Sequence, residues 1–170
     1  MRKILAAAAL IALAACHRYK VPREQFLLRL DSPWETPMAM AGKRVRTAQA
    51  TIVYFRDDGE YFELHFHVIE QNEETLYISE NLPHASALGH WTKNGPTIDV
   101  TREKVSRPDV LGLLCKPVRF QISGLSVSGN AGGNSDGIYA AVRRLVVPDI
   151  QSYLKEIHQS PFTCPGVKPK

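Results

Sequence analysis

Between Glu60 and Glu70 apolar and polar side chains alternate, without a break from Phe62 to Val68. Phe62, Leu64, Phe66 and Val68 share one parity, and Tyr61, Glu63, His65 and His67 share the other. A period of two places successive side chains on opposite faces of an extended chain, whereas a helix would repeat every three to four residues. The segment is therefore expected as a strand with one buried and one solvated face. Asp57-Asp58-Gly59 just before it is a hairpin-turn signal, in which Gly59 supplies the positive φ that such turns need. Upstream of the turn, Lys43–Phe55 is a long β-rich run with Val45, Thr47, Thr51, Val53 and Phe55 on one parity. Two long antiparallel strands are thus expected, and the remaining chain must fold around them.

A first short strand is expected at Gln25–Leu30, ended by Asp31-Ser32-Pro33, and another at Thr75–Ser79. Leu82–Arg107 reads as a long irregular stretch with one strand at Thr97–Val100. Ser106–Leu114 contains a helical turn, with Pro108 and Asp109 suited to its start. Lys116–Val127 is again β, with Val118, Phe120 and Ile122 inward. Ser128–Gly137 is a loop rich in glycine, asparagine and serine, and Ile138–Val147 is the last strand. Asp149 then caps a helix whose Ile150, Tyr153, Leu154 and Ile157 form one apolar face. The chain is expected to be mainly β, a small antiparallel β-barrel or sandwich with a short connecting helix and a C-terminal helix. The order of elements resembles an OB-fold, a five-stranded, partly open Greek-key barrel. Leu114–Gly124 followed by Tyr139–Val147 is similar to the last two strands of such barrels. Another antiparallel barrel, or a sandwich, fits the same pattern.

The N-terminus speaks to location. Arg2 and Lys3 precede an uncharged apolar run, Ile4–Leu13. As a helix this run is about 15 Å long, half of what a bilayer-spanning helix needs, and it matches the core of a signal peptide. It ends in Leu13-Ala14-Ala15-Cys16, which resembles the lipobox of bacterial lipoproteins. The alternative is an ordinary secretory signal cut after Ala12-Leu13-Ala14, which leaves the boundary cysteine without a role. The lipobox resemblance implies cleavage before Cys16, diacylglycerol on its thiol and a further palmitate-class acyl chain on its amino group. Two or three acyl chains hold a protein on a membrane essentially permanently. In enterobacterial lipoproteins aspartate after the cysteine marks inner-membrane retention, so His17 implies the outer membrane, with the domain facing the periplasm. The organisation that follows is a signal at residues 1–15, a lipidated tether at 16–24 and one domain at 25–170.

The chain has three cysteines. With Cys16 carrying lipid, Cys115 and Cys164 remain as a pair for a disulfide in the oxidising periplasm, two unrelated buried thiols being the alternative. The formal net charge is +4, and two of those charges leave with the signal. So mild a basicity gives no reason to expect nucleic acid as a partner.

Candidate chemistry is sparse. His65 and His67 project from the same face of a strand about 7 Å apart. With Glu63, and a third ligand from His84 or His90, they form a candidate transition-metal site and the basis of a metal-dependent hydrolase reading. The plainer account is the solvated face of a half-buried strand. The Gly129–Gly137 loop lacks the Lys-Ser/Thr of a phosphate loop. Trp91, His90 and Arg144 are candidate partner contacts. No catalytic set and no cofactor is expected, and the reading that follows is a non-catalytic, lipid-anchored envelope module that contacts another envelope protein, as an accessory subunit of a secretion or assembly system. An immunity protein or inhibitor against a periplasmic toxin or lysozyme is the alternative. Replacing Cys16 by serine is expected to abolish metabolic labelling with radioactive palmitate and to move the protein from the membrane to the soluble fraction.

Overall fold

A computed structural model describes residues 20–35, 38–40, 43–72, 75–78, 85–131, 136–141, 145–146 and 150–167. The strands are β1 (Phe26–Leu30), β2 (Met38–Met40), β3 (Lys43–Phe55), β4 (Glu60–Asn72), β5 (Thr75–Ile78), β6 (Ala85–Asn94), β7 (Thr97–Val105), β8 (Val118–Ser123), β9 (Ser126–Gly129), β10 (Gly137–Ala141), β11 (Leu145–Val146) and β12 (Phe162–Thr163). A helical turn at Pro108–Val110 leads into α1 (Leu111–Leu114), and α2 spans Ile150–Gln159. The expected β-rich fold with a connecting helical turn and a C-terminal helix is what forms. Cys16, His84, Arg144 and the proposed cap Asp149 lie outside the described residues.

The sheet order β4-β6-β7-β8-β9-β10-β1-β3 closes on itself through the β3–β4 hairpin. The result is an eight-stranded antiparallel barrel, three strands larger than an OB-fold. Closure leaves no free edge among these eight strands, which removes the hazard that open sheets carry. The hairpin is in register from Arg46 opposite Glu70 to Phe55 opposite Tyr61. Its outer end continues past the barrel, where β2, β5 and β11 attach.

Closure changes the meaning of the alternation in β4. Its Phe62, Leu64, Phe66 and Val68 face outward yet are buried, and Tyr61 and Glu63 face inward and are buried as well. The face expected to be solvated is the barrel interior. The outward set is covered in part by α2, whose Tyr153, Leu154 and Ile157 are buried, and in part by Phe26 and Trp34. Tyr153 meets Phe66 with ring centroids 5.6 Å apart, and Leu154 and Ile157 join Phe62 and Leu88 in one cluster.

The stretch expected to be irregular, Leu82–Arg107, holds two of the barrel's longest strands, β6 and β7. Its inward positions on β6 begin with Ala85, Ala87 and Gly89, aligned with His65, Glu63 and Tyr61. These residues are small because large side chains from other strands fill the space in front of them. Small residues carry no alternation signal, so the strand was silent in the sequence. Gly89 also sits at a register shift between β6 and β7. A Cβ there would lie 2.1 Å from the Thr101 carbonyl oxygen and 2.8 Å from the Arg102 Cα.

The interior has two poles. At one, Phe55, Tyr61, Trp91, Ile98, Phe120 and Tyr139 pack with Val21 from the entering chain. Phe120 stands edge-on to Phe55 at 5.6 Å and to Tyr139 at 5.5 Å, geometry that suits the quadrupoles of the rings. At the other, Leu114 of α1 lies against Ala85, Ala87 and Val105. Cys115 and Cys164 are joined across a separation of 49 residues. The bond fastens the segment after α2 to α1, and β12 pairs with β7. A loop of this length contributes about 4 kcal/mol in the chain-entropy account.

Because backbone, not a flexible side chain, occupies the space a Cβ would need, Gly89→Ala is expected to cost about 3 kcal/mol or more. Equilibrium urea unfolding of the two proteins measures it. Gly112→Ala on exposed α1, where nothing lies within 4 Å of the added atom, should be neutral or slightly stabilising.

Candidate functional site

The barrel closes around charge. Glu63 on β4 and Arg102 on β7 both point inward, with side chains 0% and 1% exposed. One carboxylate oxygen, Oε2, accepts from Arg102 Nε at 2.9 Å and Nη2 at 2.5 Å, and from the Tyr61 hydroxyl at 2.7 Å. The other, Oε1, accepts from His65 Nε2 at 2.7 Å. Arg102 spends a further N–H, from Nη1, on the Lys116 carbonyl at 2.8 Å. Among the described residues no buried side-chain nitrogen or oxygen lacks a partner, which is the condition under which an interior can hold ions.

The network continues toward the mouth. Thr51 on β3 lies opposite His65, and its Oγ1 is 3.0 Å from His65 Nδ1 and donates to Asp31 Oδ2 at 2.6 Å. Arg29 Nε donates to Asp31 Oδ1 at 2.6 Å, and the Arg29 guanidinium lies over the Tyr139 ring, 5.0 Å from its centroid. Gly137 makes room for that arginine, since a Cβ there would meet Arg29 Cδ at 2.2 Å. Thr51 has one hydroxyl hydrogen and gives it to Asp31. Each ring nitrogen of His65 thus faces an oxygen, Nδ1 that of Thr51 and Nε2 that of Glu63.

Burial by itself raises the Glu63 carboxyl, but the charge of Arg102 and the hydrogen bond and charge of His65 outweigh it and hold the group at about 2. Burial, reinforced by the neighbouring Glu63 charge, pushes the Tyr61 phenol well above its ordinary range. Tyr139 is also raised, chiefly by burial. Burial lowers the Arg102 guanidinium, yet the Glu63 carboxylate more than offsets this and the group is raised.

Thr51, His65 and Glu63 follow the order hydroxyl, imidazole, carboxylate found in nucleophilic hydrolases. Access decides what this order can do here. Thr51 is 0% exposed and its oxygen is held by Asp31, so a substrate carbonyl has no approach to it. Metal ligation fares no better at His65, because both its ring nitrogens are engaged. His67, one step further along the strand, is half-buried and lines a depression of about 220 Å³ with Asp31, Gln49 and His65. Among the described residues no three His, Cys, Asp or Glu side chains gather as a metal site. His65 and His67 do share a face, as the spacing required, but that face is the inside of the barrel and its mouth.

The sequence-predicted contacts fare differently. Trp91 is a core residue, 8% exposed, with its indole N–H on the Arg56 carbonyl at 3.0 Å. His90 is half-buried on the outer wall, its Nε2 3.3 Å from Glu103. Sequence reading missed Arg102, which carries no local pattern; 39 residues separate it from Glu63.

A larger concavity, about 660 Å³, runs along β8 and β9 to the mouth and includes Arg102, Lys116, Arg119, Gln121, Ser128 and Asn130. Comparison with protein-family models, curated proteins and solved structures finds no match to the chain.

Breaking the buried pair from one side strands the other charge, so Glu63→Leu and Arg102→Met are each expected to cost about 3–5 kcal/mol. The double variant should cost less than the sum. Glu63 sits lower when folded than its ordinary 4.5, so it stabilises the fold above about pH 4.5. That contribution is lost as pH falls toward 2. Urea midpoints measured from pH 6 to 2.5 should drop more steeply for the native chain than for the double variant.

Proposed function

We propose that the chain is a lipid-tethered, non-catalytic protein-binding module of the cell envelope, an accessory subunit of a secretion or assembly system. The observation that carries the reading is a filled interior beside an open concavity that presents Lys116 and the Asp99-paired Arg119. An eight-stranded barrel has room either for its own side chains or for one small ligand. Here Phe55, Tyr61, Glu63, Phe120 and Tyr139, each 0% exposed, take that room. Recognition then falls to the surface, where Arg119 is 69% exposed and Lys116 is exposed beside it. Two further features support an envelope address, the Leu13-Ala14-Ala15-Cys16 lipobox and the Cys115–Cys164 bridge, which suits an oxidising compartment.

The chain enters the barrel at the aromatic pole, through Val21. The concavity extends to Arg102, Asn130 and Asp136 toward the opposite pole. A tether at one end and a binding surface reaching the other is the arrangement that lets an anchored domain face a partner. An acidic segment on that partner is the complement to Lys116 and Arg119. Chemical cross-linking in intact cells, followed by purification, is expected to yield one stoichiometric envelope protein with the native chain. The Lys116→Glu/Arg119→Glu variant should lose it at unchanged abundance. An identical set of cross-linked proteins for both chains would overturn the assignment of this surface.

A further inference from the structure

We infer that the aromatic pole of the barrel is a second membrane contact, with Leu125 seated in the interface of the bilayer that holds the lipid on Cys16. The inference rests on the lipid-anchor reading and adds to it an orientation and an inserted residue. Three residues lie between Cys16 and Lys20, and the four chain steps reach at most about 14 Å when extended. Val21, the next residue, is 3% exposed and packs with Trp91, Ile122 and Val127. The barrel therefore cannot stand off from its anchor. Its entry pole is held within that reach, about 14 Å, of the anchored cysteine.

Strand register shows what else lies at that pole. β1 starts there, with Phe26 opposite Tyr54 near the end of β3. β6 and β7 turn there, through Asn94 opposite Thr97. β8 leaves β7 in the same direction, with Gln121 opposite Thr97, and turns into β9 through Gly124 and Leu125. Leu125 is 76% exposed, the most exposed of the large apolar side chains among the described residues. Ile122 and Val127 on either side of the turn are 2% and 0% exposed, so the tip is rooted in the same cluster that receives Val21. The Ile122 N–H donates to the Pro96 carbonyl at 2.8 Å and ties this tip to the neighbouring one. Together Asn94, Gly95, Pro96, Ser123, Gly124 and Leu125 form an uncharged edge.

The carboxylates of the pole are held by neighbours, and Asp58 shares its arginine with Glu60. Asp57 faces Arg23 and Asp58 faces Arg56, and Glu24 accepts from the Tyr54 hydroxyl and the Asp57 N–H. An exposed leucine at a hairpin tip is ordinary when it stands alone. Held by a short tether against a bilayer, it has apolar surface to bury.

The test uses full-length protein extracted from membranes and reconstituted into phosphatidylethanolamine/phosphatidylglycerol vesicles with brominated acyl chains. Mass spectrometry of the N-terminal peptide first establishes the lipid on Cys16. Leu125→Trp should then show a blue-shifted emission and bromolipid quenching above the level of the native chain. Ile138→Trp, at an exposed position on β10 toward the other pole, should show neither. Lipid on Cys16 with both new tryptophans alike, quenched or unquenched, overturns the orientation and leaves the anchor standing. A Cys16 without lipid overturns both.

Discussion

An ion pair between Glu63 and Arg102 occupies the middle of a barrel that closes around it, and much of the structure answers to that burial. Moving two charges out of water costs several kcal/mol per ion, recovered only if the geometry is good and the remaining lone pairs and N–H groups find partners. Each of these demands is met by a particular residue. Tyr61 and His65 take the other lone pairs of Glu63, and the Lys116 carbonyl takes a further Arg102 N–H. The cost is also steric. Gly89 lets β6 approach β7 beside Arg102, and Ala85 and Ala87 leave space for the network. Residues that look featureless in the chain are consequences of the charge they make room for.

The same interior explains why the constellation around His65 is structural. A threonine, an imidazole and a buried carboxylate in series have the chemistry of a nucleophile with its base. Reactivity also needs an approach path and a free oxygen, and Thr51 has neither, being fully buried and bonded to Asp31. The hydrogen bonds instead lock three strands together across the barrel. Arg29 extends the chain of contacts onto Tyr139, so β1, β3, β4, β7 and β10 are cross-linked from within. Such a network selects one register, since sliding any strand by one residue would turn an ion out and an apolar side chain in.

The outside divides by direction. One wall carries α2, whose apolar stripe covers the outward row of β4, and the disulfide fixes the chain that follows it. The wall of β8 and β9 presents Arg119, exposed and paired with Asp99. With the chain entering at the aromatic pole, the proposed partner surface runs from Gln121 beside that pole toward the opposite one. The proposed function rests on this surface and on the side chains that fill the interior.

The sequence alone determined the elements whose evidence is local. The β3–β4 hairpin declares itself by period and turn, the inward row of β8 by Val118, Phe120 and Ile122, and α2 by Tyr153, Leu154 and Ile157. The cysteine pair is what counting leaves when the lipobox resemblance assigns Cys16 to lipid. What only the tertiary structure decided is which face is inside. Alternation separates two faces of a strand but cannot say whether the polar one meets water or a closed interior, because that depends on Arg102, a residue 39 positions away. For the same reason β6 was invisible. Its small inward residues are dictated by the side chains opposite, and a packing partner leaves its mark on volume, which a periodicity of hydrophobic residues does not register.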